Sequence, residues 1–207
     1  MKTRNKALLT MACAVLLVVA SVLGTMAYLT SIAEVENTFT VGSVTISMDE
    51  TDVDNSTDGK DRDTENKYHL LPGHEYTKDP IIHVASTSED CYLFVTVSNE
   101  IAAIEATGDT SVASQMAAKG WKAVEGQTNL YVYIGTAEDA SAPLAVKAND
   151  DITVFEKIVI SGSVDNTTLA NYKDKMITVN AYAVQKDGFE SKTASEIWNT
   201  TFGASKN

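Results

Sequence analysis

The sequence predicts an all-β fold, an antiparallel two-sheet sandwich with a few short helices, preceded by a signal peptide. Three observations predict it. Apolar residues alternate with polar ones in successive short runs from Leu29 onward, helical candidates are few and brief, and turn residues are thinly scattered between the runs.

The export signal comes first. Lys2, Arg4 and Lys6 form a basic start, and no charge follows until Glu34, leaving an apolar run through Leu8, Leu9, Val15, Leu16, Leu17, Val18, Val19, Val22 and Leu23. The run ends in Gly24-Thr25-Met26-Ala27, where Thr25 and Ala27 are the small-x-small pair of a cleavage site. Cleavage is expected after Ala27, with the bond after Tyr28 next in order; uncleaved, the run would reach the roughly 20 apolar residues that span a bilayer. The expected organisation is a signal at residues 1–27, an N-terminal strand arm at 28–48, and 49–207 as the remainder of a single β-sandwich domain.

Composition narrows the function classes. The chain carries 16 Lys+Arg against 28 Asp+Glu, a net charge of −12, and loss of the three leader cations makes it more acidic still. That argues against nucleic acid and anionic membrane surfaces as partners and fits a secreted, extracellular protein. Cys91 would be the one cysteine left after processing, so no internal disulfide framework or thiolate metal cluster is expected.

In the arm, Leu29, Ala33, Val35, Phe39 and Val41 share one phase, while Glu34, Glu36, Thr38 and Thr40 take the other, as a half-buried strand requires. At Gly42 the phase flips to Val44, Ile46 and Met48, which predicts a bulge at Gly42-Ser43 and makes Gly42 a hinge. Further strands are predicted at 81–85, 91–98, 130–134, 152–161 and 176–184. In the run from Cys91 to Val97 both faces are largely apolar, which suits an interior strand. Helices are predicted at 110–119, ended by Gly120, at 167–174, and at 194–201 before Gly203.

Three stretches carry a resemblance. Residues Gly24-Thr25-Met26-Ala27-Tyr28-Leu29-Thr30-Ser31 with Asn37-Thr38-Phe39-Thr40-Val41-Gly42-Ser43-Val44-Thr45-Ile46 are similar to the N-terminus of the TasA/camelysin family, whose members are exported through a dedicated signal peptidase, SipW. Leu71-Pro72-Gly73-His74-Glu75-Tyr76-Thr77-Lys78-Asp79-Pro80, followed by Asp90-Cys91-Tyr92-Leu93-Phe94-Val95, resembles that family's Pro-Gly turn and the strand after it. Ser195-Glu196-Ile197-Trp198-Asn199-Thr200-Thr201-Phe202-Gly203 resembles its C-terminal end. The resemblance implies a jelly-roll sandwich, self-association into biofilm-matrix fibres of Gram-positive bacteria, the dedicated signal peptidase as a partner during export, and a matrix or cell-wall anchoring partner. In such fibres the N-terminal strand of one subunit completes a sheet of its neighbour. Here Leu29, Ala33, Val35, Phe39 and Val41 would be the inserted side chains, main-chain hydrogen bonds supplying affinity and the side chains register. The other reading of the same segment is an edge strand of its own domain.

Two metal patterns stand in the sequence. Asp54-x-Ser56-x-Asp58-Gly59 with Glu65 at the twelfth position has the spacing of a calcium loop, but Asp61 stands where a docking hydrophobe belongs and neither flank has a helical period, so a solvated acidic loop is expected, its many carboxylates binding calcium only weakly. His69, His74 and His83 are the chain's three histidines. His74-Glu75 begins a zinc-peptidase motif, but Lys78 occupies the second histidine's place and Pro72-Gly73 disfavours a helix, so no catalytic zinc and no cofactor are expected. Cys91 alternates with Leu93 and Val95 as a buried strand residue rather than a nucleophile. Trp121, Tyr131, Tyr133, Trp198 and Phe202 are expected to pack rather than to form a ligand platform. The functional expectation is a non-enzymatic, secreted fibre or matrix subunit. The alternatives are a camelysin-like metalloendopeptidase and a monomeric surface binding module.

Overall fold

The computed structural model describes residues 11–17, 42–56, 59–137 and 141–203. The chain divides into two compact units, Met1–Val41 and Gly42–Asn207. In the first, residues 11–17 form an exposed helix, α1. Ala27, Tyr28 and the arm residues Leu29, Ala33, Val35, Phe39 and Val41 lie outside the described residues, as does most of the predicted signal. Among the described residues no helix is long and apolar enough to cross a membrane.

The second unit is built from antiparallel sheets with few helices. Its strands are β1 (Ile46–Thr51), β2 (Arg62–Asp63), β3 (Glu75–Thr77), β4 (Ile81–Val84), β5 (Cys91–Asn99), β6 (Trp121–Ala123), β7 (Leu130–Tyr133), β8 (Ala145–Val146), β9 (Asp151–Thr153), β10 (Lys157–Val159) and β11 (Ile177–Gln185). Helices α2 (Val112–Ala118), α3 (Asn166–Ala170) and α4 (Ala194–Thr201) lie between or after them. One sheet runs β2-β1-β4-β9, a second β11-β5-β7-β6 with β8 also on β5, and β10 pairs with β3.

β5 explains why its sequence is apolar on both faces. It is paired on both sides, with β11 along one edge and β7 and β8 along the other. Cys91, Leu93, Val95 and Val97 join Ile82 and Val84 of β4 in the main core, while Tyr92 and Phe94 face a second cluster with Leu130, Val132, Val184 and Ile197. That second cluster is roofed by α4, whose Trp198 and Phe202 stack on Phe94 and Tyr182. A reciprocal capping box between Thr193 and Glu196 starts α4 and satisfies two otherwise orphaned N–H groups. Side chains such as Phe94, Leu93 and Ile197 are fully buried, each stabilising by about 1.5–3 kcal/mol relative to exposure. Gly120, after α2, has φ +87, and a Cβ there would stand 2.5 Å from the Gly135 backbone, so only glycine fits.

One predicted strand is corrected. The run at 152–161 is two strands in different sheets, β9 on β4 and β10 on β3. Between them Val154 and Phe155 both enter the same main core, whereas in a strand running on through one sheet neighbouring side chains face opposite sides. The Val154 N–H still donates to the Pro80 carbonyl in register with the β4–β9 ladder, and the chain then leaves that sheet to pair with β3. Helix 167–174 is shorter than expected, ending at Ala170. Strand pairing starts at Ile46 rather than Val44, because Ser43 and Thr45 give their carbonyls to Glu89 and Ala85 of the β4–β5 turn. The expected division at residues 48 and 49 falls inside β1, and the compact unit begins at Gly42.

Candidate functional site

β11 is an edge strand: it pairs with β5 and, among the described residues, with nothing on its outer side. Its odd-numbered residues Ile177, Val179, Ala181 and Ala183 pack against the main core but stay only half-buried. Their β5 partners on the same face, Leu93, Val95 and Val97, are 0–5% exposed. The apolar layer is therefore closed over β5 and open over β11. An unpaired ladder beside uncovered apolar side chains is what an added strand needs.

The open side continues toward β1. Residues Ile46–Thr51 pair with β4 along 46–49 and with β2 at 50–51, which leaves the β2-side edge of 46–49 without a strand among the described residues. A cavity of about 260 Å³ separates Ile46, Ser47 and Met48 from Val179, Asn180 and Ala181. It shares Met48 and Val179 with a larger cleft of about 1000 Å³, whose apolar wall also includes Leu70, Leu169, Tyr172 and Ile177. Lys67 and Lys173 stand at its lining, and its polar side holds Glu50, Asn66 and Lys78. Met176, at the start of β11, is 63% exposed beside this cleft.

Turn chemistry shapes the cleft's polar wall. Arg62 on β2 donates to the Asp49 carboxylate and carbonyl, to Thr51 Oγ1, and to the Asp79 carboxylate and carbonyl, tying β2, β1 and the turn before β4 together. Burial works against charge on Asp79, but the Thr51 N–H, the Arg62 guanidinium and the Thr51 hydroxyl together hold its carboxyl below the usual range. Burial first, and then the surrounding carboxylates of Glu50, Asp79, Asp63 and Asp54, push the Tyr68 phenol well above its ordinary value, so it stays protonated and donates to the Thr77 carbonyl at 2.9 Å.

The metal candidates from sequence are not assembled as a set. His69 lies exposed in the loop before β3, His74 turns its Nδ1 to the Pro72 carbonyl at 3.1 Å, and His83 sits on β4 between Asp49 and Asp151. Of the calcium-loop residues, Asp58 lies outside the described residues. Asp54 accepts from the Ser56 and Lys67 backbone N–H groups at 2.9 and 2.8 Å, and the Ser56 hydroxyl donates to Asp63 at 2.8 Å. Among the described residues the one group of carboxylates close enough to share an ion is Asp52, Asp54 and Asp63, which includes neither Ser56 nor Glu65. Gly42 lies where a Cβ would meet the Glu89 side chain at 2.9 Å. Cys91 is fully buried, and burial, with Asp90 and Asp150 nearby, pushes its thiol up to about 11, away from nucleophilic use. Trp121 is 3% exposed and donates its indole N–H to the Thr153 carbonyl, with Tyr133 packed on its ring.

Two features escaped the sequence. The period of β11 was legible, but not its place at an edge, which depends on pairing. Glu50, the one buried charged residue among those described, reads in sequence as part of an acidic run. No family model, curated protein or solved structure matches this chain.

Proposed function

We propose that this chain is an exported, non-enzymatic subunit that assembles into extracellular fibres by strand addition, on a two-sheet sandwich of jelly-roll type. The observation that carries the reading is the open β11 edge, with Ile177, Val179, Ala181 and Ala183 half-buried along it. The proposed occupant is segment 29–41 of a second copy. Its alternation would lay Leu29, Ala33, Val35, Phe39 and Val41 over the uncovered apolar layer and turn Glu34 and Glu36 outward. An arm leaving the compact unit at Gly42 can be given away without straining a loop.

Electron microscopy and analytical ultracentrifugation of the processed chain, beside a version lacking residues 29–40, test the reading. Fibres from the first and dispersed folded subunits from the second are expected. Equal behaviour of the two, whether fibrous or dispersed, would exclude strand donation.

A further inference from the structure

Three side chains on the polar wall of the cleft form a reactive constellation independent of assembly. Glu50, on β1, is 5% exposed. Its two carboxylate oxygens are shared between two nitrogens: Lys78 Nζ stands 2.7 Å from Oε2, and Asn66 Nδ2 donates to Oε1 at 3.1 Å. The Lys78 side chain is itself 12% exposed. It is held at its backbone N–H by the Glu156 carbonyl and faces the Tyr68 ring, 5.9 Å from the centroid. The Asn66 amide is fixed in orientation. Its Nδ2 also donates to the Thr51 carbonyl at 2.8 Å and to Asp63 at 3.1 Å, and its Oδ1 accepts from the Val53 N–H at 2.7 Å.

A lysine and an asparagine amide are held on the two oxygens of one carboxylate, which touches both the incoming and the departing nitrogen, and a backbone N–H sits on the amide oxygen. These are the parts an acyl transfer from asparagine to lysine needs. We propose that Asn66 and Lys78 join in an intramolecular isopeptide bond, with Glu50 as the proton carrier. Proton transfer along the Lys78–Glu50 contact leaves a neutral amine, whose Nζ attacks Asn66 Cγ. The Val53 N–H stabilises the oxyanion that develops on Oδ1. As the Cγ–Nδ2 bond breaks, Glu50 returns the proton to Nδ2 through the contact it already makes, nitrogen departs as ammonia, and the second proton lost by Nζ passes to the freed Glu50 carboxylate. One C–N bond forms and one breaks, no electrons are exchanged, and no cofactor is consumed. The cleft beside the three residues gives ammonia a way out. The product would lock the loop after β2 to the turn after β3 and fix one wall of the cleft covalently.

Intact-mass spectrometry of the natively purified chain tests this directly. The expected mass is lower than the sequence mass by one ammonia, with a branched peptide linking Asn66 and Lys78 after digestion and tandem fragmentation. Lys78→Arg should restore the full mass, and Glu50→Gln should prevent the loss or slow it at least tenfold, with circular dichroism reporting that each variant folds. A wild-type chain that keeps its full sequence mass after prolonged incubation in the folded state overturns the proposal, whatever the variants do. So does an ammonia loss that persists in Lys78→Arg, which would be a cyclic imide at an asparagine.

Discussion

His83 on β4 points its Nε2 at the Asp49 carboxylate of β1, 3.2 Å away, and its Nδ1 at Asp151 of β9, 2.6 Å away. An ionised carboxylate only accepts, so the protonated ring donates from both nitrogens and bridges three strands as an imidazolium. Burial is the largest influence on His83 and lowers its pKa. The hydrogen bonds and charges of Asp151 and Asp49 outweigh it, and the net shift is upward. A raised folded-state value means the bridge stabilises fully below the unfolded pKa of about 6.5 and is lost as pH rises through the higher folded value. With solvent screening, the contribution is about 0.5 kcal/mol. Thermal melts should therefore fall by about 1–2 °C between mildly acidic and mildly alkaline pH. His83→Gln should flatten that slope. Parallel slopes in the two proteins would remove the bridge from the account.

Arg62 supplies the opposite limb of the pH profile. Burial raises Asp49, but hydrogen bonds and charge from Arg62 and His83 leave its carboxyl below the ordinary value, and Asp79 is depressed likewise. These groups stabilise above their unfolded pKa of about 4, and that stability is lost as pH falls through the lower folded values. Lysine cannot reproduce the fork that reaches five acceptors on β1, β2's neighbour turn and Thr51. Arg62→Lys should cost about 1–2 kcal/mol in urea unfolding at neutral pH and move the acid-unfolding midpoint to higher pH. An unchanged acid midpoint would show that the fork does not set it.

The sequence carried most where a segment's neighbours are uniform. β5 was legible because both its faces are buried, and α4 because Gly203 follows its end. The turn at Val154 and Phe155 was not, since alternation says which side chains are apolar and not which sheet receives them. β2, β3, β6 and β8 are two or three residues long, too short for a local pattern, and β3 and β8 pair with strands far along the chain. The same limit hid the cleft. Lys78 was noticed only for standing where a histidine would complete a zinc motif. Its contact with Glu50 spans 28 positions.

Phe155 gives a direct measure of the tie between β9 and β10. It is fully buried in the main core at the point where the chain leaves one sheet for another. Phe155→Ala removes an aromatic ring and leaves a cavity that a bend fixed by the Val154–Pro80 hydrogen bond cannot easily close. A loss of about 3–5 kcal/mol in denaturant midpoint analysis is expected. A loss under about 1 kcal/mol would mean that the core there collapses around the vacancy.

The edge of β11 can be tested without touching the arm. Ala181 is half-buried, faces the main core side, and lines the small cavity opposite Ile46 and Met48. Ala181→Glu would place a carboxylate where an incoming strand must lay apolar side chains. The monomer could turn that group toward the solvent already reaching this edge. The critical concentration for fibre growth should rise at least tenfold, about 1.4 kcal/mol of association free energy, with far-ultraviolet circular dichroism unchanged. Lys122→Glu reverses a charge on β6, at the opposite edge of the same sheet, and should leave assembly unaffected. If Lys122→Glu blocks growth and Ala181→Glu does not, subunits join at the β6 edge and β11 plays no part.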